Sequence, residues 1–277
     1  MTLALPTLQN WLDVATEAVL AAGVVLEDLW GNLTDIQEKG RSGNLVTEAD
    51  QTAEALILDI LTRHCPDHAI LAEESGTHGQ NDYLWAIDPL DGTTNYAHGY
   101  PLACVSVGLM VKGVPVVGAI YNPFRRELFR AAQGLGATLN RRPIRVSATP
   151  TLEKSLLVTG FAYDRCTTPD NNYAEFCYLT HLTQGVRRSG SAALDLTEVA
   201  CGRLDGYWER GIKPWDIVAG LVILAEAGGK ATAYNETPLD LTSGRILATN
   251  GVIHHQLSQA LGQSRQSLTE IFPDLAR

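Results

Sequence analysis

Four acidic side chains lie close together in the first third of the chain. Glu73, Glu74, Asp88 and Asp91 fall within nineteen residues, and no lysine or arginine occurs between positions 64 and 111. Unpaired carboxylates that gather in one place repel each other, and a bound cation is the simplest way to hold them together. Their oxygens are ligands of the kind that Mg²⁺ prefers. The segment therefore indicates a metal site, although Asp-Pro and Asp-Gly are also common turn dipeptides in proteins of every kind.

A short buried strand is predicted to position two of these acids. The strand runs from Tyr83 to Ile87, and Pro89 is expected to end the hydrogen-bonded ladder because it has no backbone donor. Asp88 would then leave the sheet at the carboxyl end of the strand, with Asp91 just beyond the turn.

The residues after Asp91 are suited to holding an anion. Gly92 lets backbone N–H groups approach a ligand closely, and Thr93 and Thr94 supply hydroxyl groups. Carboxylate ligands beside such a cradle are typical of a site that binds metal together with phosphate.

Two further acids stand at predicted helix starts. Asp50 closes the sequence Thr47-Glu-Ala-Asp, which has the form of a capping box, and Asp216 lies in the first turn of a strongly apolar helix. A carboxylate in either place satisfies free N–H groups without doing any chemistry. The spacing alone favours capping for Asp50 and leaves both interpretations open for Asp216.

Composition limits the class of protein. The chain has 277 residues, of which 45% are hydrophobic and 19% charged, as in a globular protein with a sizeable core. Its net charge of −10 argues against a broad electrostatic contact with nucleic acid. No Walker A loop, GxGxxG fingerprint, GxSxG elbow or zinc-spaced Cys/His set is present, which excludes several enzyme classes.

Cysteine usage and hydropathy predict a cytoplasmic protein. The five cysteines are odd in number and widely spread, with neither a CxxC pair nor a disulfide framework. The first ten residues lack the basic start of a signal peptide, and no apolar run approaches the roughly 18 residues needed to span a membrane. No membrane partner is therefore expected.

Periodicity predicts alternating α and β elements along the chain. Helices are predicted at 7–30, 47–66, 171–182, 191–201, 212–227, 252–262 and 265–271, and strands at 104–111, 114–121, 127–132, 136–140, 155–159, 204–209, 230–234 and 246–249. The four consecutive strands from 104 to 140 are expected to form an antiparallel meander. The best boundary between two lobes is 141–154, which divides the chain into an N-terminal α+β lobe (1–145) and a C-terminal α/β lobe (146–277), or two parts of one domain.

Three segments resemble the signatures of the inositol monophosphatases, which are magnesium-dependent, lithium-sensitive phosphatases. Glu73-Glu-Ser-Gly76 resembles the GEES signature, with Ala72 in place of its first glycine. Trp85 to Asn95 is similar to the signature W-x-[IV]-D-P-[IL]-D-G-T-x-N, and Pro214 to Gly220 contains W-D-x-x-A-G. Three motifs in the right order are far more specific than one, and the similarity extends from about Leu12 to Asn250.

The resemblance implies an α+β fold, a layered αβαβα sandwich of the inositol monophosphatase and fructose-1,6-bisphosphatase type, usually found as a homodimer. It implies hydrolysis of small phosphate monoesters by water, with two or three Mg²⁺ ions in each active site. The metal ligands carried over by motif are Glu73, Asp88, the carbonyl of Leu90, Asp91 and Asp216. Glu73 would also help deprotonate the attacking water, and Asp50 would orient Thr93 rather than serve only as a cap.

The resemblance also implies contacts with the substrate. Gly92, Thr93 and Thr94 would bind phosphate, and Gly190, Ser191, Ala192 and Glu209 match positions that contact a polyol. For Glu209, a solvated acid at a strand end is an equally good interpretation. Lys39 matches a lysine near an auxiliary metal or water site, and Asn44 stands where some members carry aspartate.

Inositol monophosphate is the expected substrate. Histidinol phosphate, fructose 1,6-bisphosphate and 3′-phosphoadenosine nucleotides stay open as alternatives, because related enzymes act on them with the same ligands. A non-catalytic binding protein that retains the fold is the alternative from a different class, and it would be indicated by a lost ligand or a lost Thr93.

Overall fold

The structure is a computed structural model of the chain, and it describes residues 3–33, 36–38 and 45–271. The α-helices are Leu5–Leu29 (α1), Glu48–His64 (α2), Thr93–Ala97 (α3), Tyr173–Leu182 (α4), Ala192–Ala200 (α5), Pro214–Glu226 (α6) and His254–Ile271 (α7), and Leu152–Lys154 forms a 3₁₀ helix. The strands are Ile36–Glu38 (β1), Leu45–Thr47 (β2), Ala69–Ala72 (β3), Gly76–His78 (β4), Tyr83–Asp91 (β5), Cys104–Val111 (β6), Val114–Asn122 (β7), Glu127–Ala132 (β8), Gly136–Leu139 (β9), Arg142–Pro143 (β10), Leu156–Thr159 (β11), Gly185–Arg187 (β12), Gly206–Arg210 (β13), Lys230–Thr232 (β14) and Arg245–Thr249 (β15).

The larger sheet has the strand order β10-β9-β8-β7-β6-β5-β3-β4. Strands β5 to β10 are joined antiparallel in chain order, which confirms the predicted meander. Only β3 pairs in parallel, with β5.

The predicted end of β5 is wrong. Pairing with β6 continues past Pro89, because Asp88 pairs with Ser106 and Asp91 pairs with Cys104 across a shift in register. A bulge of this kind lets a proline sit within a strand, since the bulged residues do not donate to the ladder. It also turns the side chains near the strand end out of regular alternation.

The smaller sheet has the order β12-β11-β13-β15-β14 and mixes parallel with antiparallel pairs. Helices α1 and α2 pack on the outer face of the larger sheet, α5 and α6 lie between the two sheets, and α4 and α7 cover the smaller sheet. The result is the expected αβαβα sandwich. The proposed lobe boundary at 141–154 contains β10, the last strand of the larger sheet, and ends before β11, the first strand of the smaller sheet. The division into lobes stays a prediction.

The helical periodicity near the N-terminus corresponds to a buried stripe. Leu8, Trp11, Ala15, Val19 and Leu26 of α1 are all buried against the larger sheet. A helix with one apolar face gains stability by burying that face, at about 25 cal/mol for each Å² removed from water.

The middle helix, α6, approaches the larger sheet unusually closely. A Cβ atom on Gly118 would lie 2.2 Å from the carbonyl oxygen of Ala219, and one on Gly108 would lie 2.7 Å from the Ala219 nitrogen. Only glycine fits at these two strand positions. The lack of a side chain at Gly108 and Gly118 therefore determines how close α6 lies to β6 and β7.

Other differences from the sequence predictions concern short or terminal elements. The two predicted tail helices form the single helix α7, and the three- and four-residue strands β3, β4 and β12 were not predicted. Across the described ranges, none of the helices has the length and apolar character needed to cross a bilayer.

Candidate active site

A cavity of about 250 Å³ opens where the ends of β5, β13, α5 and α6 meet. The predicted site residues that line it are Glu73, Asp88, Leu90, Asp91, Gly92, Thr93, Thr94, Gly190, Ser191, Ala192, Glu209 and Asp216. Segments as much as 143 positions apart in the sequence thus contribute to one site. Asp50 is the exception, since it lies behind the cavity wall. Lys39 and Asn44 fall outside the described residues.

The turn after β5 holds its shape through local bonds. The backbone N–H of Leu90 donates to Asp88 Oδ1 at 3.0 Å. Gly92 has a φ of 95°, a left-handed conformation, and a Cβ atom there would lie 2.8 Å from the carbonyl oxygen of Leu102. Glycine is therefore required on two grounds, conformation and space.

Asp50 both caps a helix and contacts Thr93. Its Oδ2 accepts bonds from the N–H and the hydroxyl of Thr47, each at 2.7 Å, which completes the capping box of α2. Its Oδ1 lies 3.3 Å from the Thr93 hydroxyl, which also donates to the carbonyl of Leu90 at 3.0 Å. The two interpretations of Asp50 are therefore compatible.

Asp91 connects the larger sheet to the start of α5. Its Oδ2 accepts a bond from the Ser191 hydroxyl at 2.6 Å and another from the Ala193 N–H at 2.7 Å. The same Ser191 oxygen accepts from the Leu194 N–H at 3.3 Å and so caps the helix. The hydroxyl proton of Ser191 is thus directed at Asp91.

Asp216 is the third residue of α6 and also faces the cavity. Its Oδ2 accepts a bond from the Lys213 N–H at 2.6 Å, as a capping carboxylate does. Capping engages one oxygen, and the side chain still forms part of the cavity wall.

Electrostatic repulsion among the acids is visible in their pKa values. Burial raises the pKa of Asp88 well above its usual range, and the charges of Glu73, Asp91 and Asp216 raise it further. Burial also raises the pKa of Asp91 to about 6, despite opposing hydrogen bonds from Ser191 and Ala193. The pKa of Asp216 is raised by burial and then by Asp91 and Glu73. These groups need a positive partner to be ionised together.

The donors fit Mg²⁺ in chemical type. Within the described part of the chain, no three carboxylate, imidazole or thiol groups are arranged to hold an ion by themselves. Mg²⁺ does not require such a cage, because it usually takes one or two carboxylates and completes its shell with other oxygens, including water and substrate phosphate. Glu73, Asp88, Asp91, Asp216 and the Leu90 carbonyl all belong to residues that line the cavity, and they are donors of that type.

Glu209 also lines the cavity, and its Oε2 accepts a bond from the Tyr207 hydroxyl at 2.7 Å. Burial raises the pKa of Glu209 to about 7, and the charge of Asp91 adds to the effect of burial. Glu209 is thus a half-buried residue of the cavity wall.

Several lining residues were not predicted from the sequence. They are Phe161, Ala162 and Tyr163 in the loop after β11, Arg188 before α5, and Asp195 within α5. Asp195 is buried and accepts a hydrogen bond from the Ser189 hydroxyl. Its only sequence signal is its place four residues after the helix cap at Ser191. The loop residues belong to segments, 160–170 and 185–192, that were expected to distinguish between substrates but from which no individual residue could be predicted.

Comparison with known proteins gives a consistent picture. Residues 7–269 match the model of the inositol monophosphatase family. An inositol-1-monophosphatase of Synechocystis sp. is 70% identical over 261 residues, which cover 94% of this chain and 91% of that protein. A Nus factor SuhB of Pasteurella multocida is 41% identical over 86% of this chain and 90% of its own length. The solved inositol monophosphatase of Anabaena (Nostoc) sp. PCC 7120 is 65% identical and superimposes with a TM-score of 0.86, covering 93% of this chain and 97% of that one.

Proposed function

Because the chain belongs to the inositol monophosphatase family, we propose that it is a magnesium-dependent phosphatase that hydrolyses inositol monophosphate to inositol and phosphate. The observation that carries the proposal is the cavity itself. It brings Asp88, Asp91 and Asp216, which repel one another, into one cavity with Glu209. The three aspartates suit a metal ion that binds phosphate, and Glu209 suits the hydroxyl groups of a polyol.

Metal ions would be held by Glu73, Asp88, Asp91, Asp216 and the Leu90 carbonyl, with two or three Mg²⁺ in each site. When bound, Mg²⁺ supplies Lewis acidity, which neutralises charge on the phosphate and makes a nearby water more acidic.

The side chains around the metal site have distinct tasks in the proposed reaction. Glu73 accepts a proton from the water that attacks phosphorus, and Thr93 orients that water through its hydroxyl. The bond between phosphorus and the ester oxygen breaks, and that oxygen leaves as the polyol hydroxyl after it takes a proton from a second water. Asp50 keeps the Thr93 hydroxyl in place by accepting its hydrogen bond. The N–H groups of Gly92 and Thr93, together with the Thr94 hydroxyl, bind the phosphate oxygens.

Other lining residues of the same cavity bind the alcohol part of the substrate. Glu209 accepts hydrogen bonds from ring hydroxyls, and the segment Gly190, Ser191 and Ala192 packs against the ring. Histidinol phosphate, fructose 1,6-bisphosphate and 3′-phosphoadenosine nucleotides are the alternative substrates for the same metal site. A purely binding function is disfavoured because every proposed ligand and Thr93 line the cavity.

The proposal includes a cytoplasmic homodimer that binds neither nucleic acid nor membrane. All five cysteines are free thiols, which supports a reducing compartment. The family resemblance supports the dimer, and sedimentation velocity at several protein concentrations tests it.

A phosphate-release panel tests the proposed function. Purified protein is assayed on inositol 1-phosphate, histidinol phosphate, fructose 1,6-bisphosphate and adenosine 3′,5′-bisphosphate, each with Mg²⁺ and with a chelator. We expect the highest kcat/KM on inositol 1-phosphate and no turnover under chelation until Mg²⁺ is restored. Release of phosphate in the chelated sample, or a clear preference for another ester, would contradict the proposal.

A further inference from the structure

The loop that joins β11 to α4, residues 160–172, has no part in the proposed reaction. Phe161, Ala162 and Tyr163 of this loop nevertheless line the cavity. The loop is closed at its base by Asn172, which is buried and donates to the Gly160 carbonyl at 2.7 Å and to the Thr159 hydroxyl at 2.8 Å. It is therefore an ordered segment beside the site.

The first half of this loop runs along the end of β13 in close contact. A Cβ atom on Gly160 would lie 2.1 Å from Glu209 Oε1, so the loop backbone touches the carboxylate directly. Two residues later, Ala162 touches Gly211, where a Cβ atom would lie 2.5 Å from that of Ala162. The position of the loop is thus coupled to the strand that carries Glu209.

An ion-pair network holds the same loop to the smaller sheet. Arg210 Nη1 and Nη2 donate to the two oxygens of Asp164 at 2.7 and 3.0 Å, and its Nε lies 3.3 Å from Asp170 Oδ2. Asp170 also pairs with Arg245. The Arg210 side chain is only 14% exposed, so solvent screens the paired charges less than at an open surface.

The register of the smaller sheet explains why this ion-pair network forms. Arg210 and Arg245 are direct partners on β13 and β15, and like charges opposite each other in a sheet destabilise it. The loop supplies the neutralising acids Asp164 and Asp170. Two opposed arginines therefore attract this particular loop and fix its position.

Tyr163 lines the same cavity as the proposed metal ligands. Its pKa is raised by burial and by the charges of Glu73, Asp91 and Asp216, so its hydroxyl stays protonated and able to donate. The side chain is 48% exposed, and among the described residues its hydroxyl has no hydrogen-bond partner. The hydroxyl is thus a free donor on a residue that lines the cavity in which the proposed function places the phosphate.

We propose that Tyr163 donates a hydrogen bond to the phosphate group of the bound ester, and that the Arg210–Asp164 pair is the positioning element that keeps Tyr163 there. The inference rests on the proposed function for the location of phosphate. Tyr163 contacts the substrate, whereas Arg210 acts only through the loop.

Steady-state kinetics of Tyr163→Phe test the contact. Hydrogen bonds to charged groups lie at the strong end of the usual range, and partial exposure weakens this one, so we expect KM for inositol 1-phosphate and Ki for inorganic phosphate to rise about tenfold. The fall in kcat is expected to be smaller than the rise in KM. Tyr173→Phe is the matched control, since Tyr173 adjoins the same loop and is 45% exposed but does not line the cavity.

Arg210→Met tests the positioning role. We expect it to raise KM for inositol 1-phosphate and Ki for inorganic phosphate about threefold in the wild-type background. Both constants should stay unchanged in the Tyr163→Phe background, because the effect of Arg210 passes through Tyr163. Asp164→Asn removes the charge on the loop side of the same ion pair and should change KM and Ki as Arg210→Met does. It replaces Arg210→Met as the test if that variant does not fold. Arg203→Met is the control, since Arg203 pairs with Glu127 and Glu198 away from the cavity.

Two results would overturn the inference. One is a Tyr163→Phe variant whose KM and phosphate Ki stay within twofold of the wild type, and the other is an Arg210→Met effect of equal size in both backgrounds. A wild-type protein that does not hydrolyse inositol 1-phosphate would contradict the proposed function only. Inhibition by inorganic phosphate, measured with any ester the enzyme hydrolyses, would still test the loop.

Discussion

Replacing Glu209 by glutamine should stabilise the metal-free protein while it impairs recognition of the polyol. The folded protein raises the pKa of this carboxyl from 4.5 to about 7, mainly because burial disfavours the charged form. Such a rise corresponds to roughly 3 kcal/mol of destabilisation at a pH where the group is ionised. Glu209 is partly exposed, and solvent screening reduces such a cost, so we expect about 1–2 kcal/mol.

The sign of the effect depends on pH. Near pH 4 the carboxyl is largely protonated in both states and costs little. As pH rises from 4.5 to 7 the unfolded chain loses this proton first, so the stability of the wild type falls and the full cost is present above pH 7. Glutamine does not titrate, so the advantage of Glu209→Gln should be larger at pH 8 than at pH 5.

Thermal unfolding in the presence of a chelator measures this difference. For a chain of this size, 1–2 kcal/mol corresponds to an increase in Tm of roughly 2–6 °C at pH 8. Glu236→Gln is the control, because Glu236 is a surface acid whose pKa is lowered by hydrogen bonds from His255 and Lys230. Its removal should give no stabilisation at pH 8.

The same variant tests the contact between Glu209 and the polyol. Loss of hydrogen bonds between ring hydroxyls and a carboxylate should raise KM for inositol 1-phosphate about tenfold. Hydrolysis of 4-nitrophenyl phosphate, which has no ring hydroxyls, should change less than twofold. A variant that gains no stability at pH 8, or gains the same amount at pH 5, would refute the electrostatic reasoning. Equal losses on both esters would refute the polyol contact.

Three other substitutions, one of them with a matched control, address the metal site, the water and the packing. Asp91→Asn should abolish phosphate release with a native circular dichroism spectrum, and retained activity with normal Mg²⁺ dependence would exclude Asp91 as a ligand. Thr93→Ala should lower kcat about 100-fold with little change in KM, as expected for a group that orients the attacking water, and an unchanged kcat would remove that role. Gly118→Ala should cost about 3 kcal/mol in urea unfolding because its Cβ atom would lie 2.2 Å from the Ala219 oxygen. Gly262→Ala, in a helix with open space around the glycine, should instead be neutral or stabilising.

The parts of the site that could be predicted lie in contiguous motifs. Asp88, Asp91 and Gly92 are close in sequence, and their turn is determined by local conformational preferences that proline and glycine make visible. Asp216 was visible too, because an acid in the first turn of an apolar helix stands out from its neighbours. All three carboxylates line the cavity, as expected.

The parts that could not be predicted depend on contacts between distant segments. The bond from Ser191 to Asp91 joins residues 100 positions apart, and the pair of Arg210 with Asp164 joins residues 46 apart. Neither leaves a periodic pattern in the sequence. The short strand β12 was missed for a related reason, since three residues are too few to show alternation and its pairing with β11 supplies the missing information.

The position of Asp216 relative to the other acids is determined by packing rather than by the acids themselves. Mutual repulsion would drive Asp216 away from Asp91, and burial adds a further cost to its charge. Ala219, one helical turn after Asp216, rests directly on Gly108 and Gly118 of the larger sheet. The close contact of α6 with these glycines therefore holds the carboxylates near each other against their mutual repulsion. The packing free energy of the core offsets the cost of that repulsion, so a cation can bind to carboxylates that are already in place.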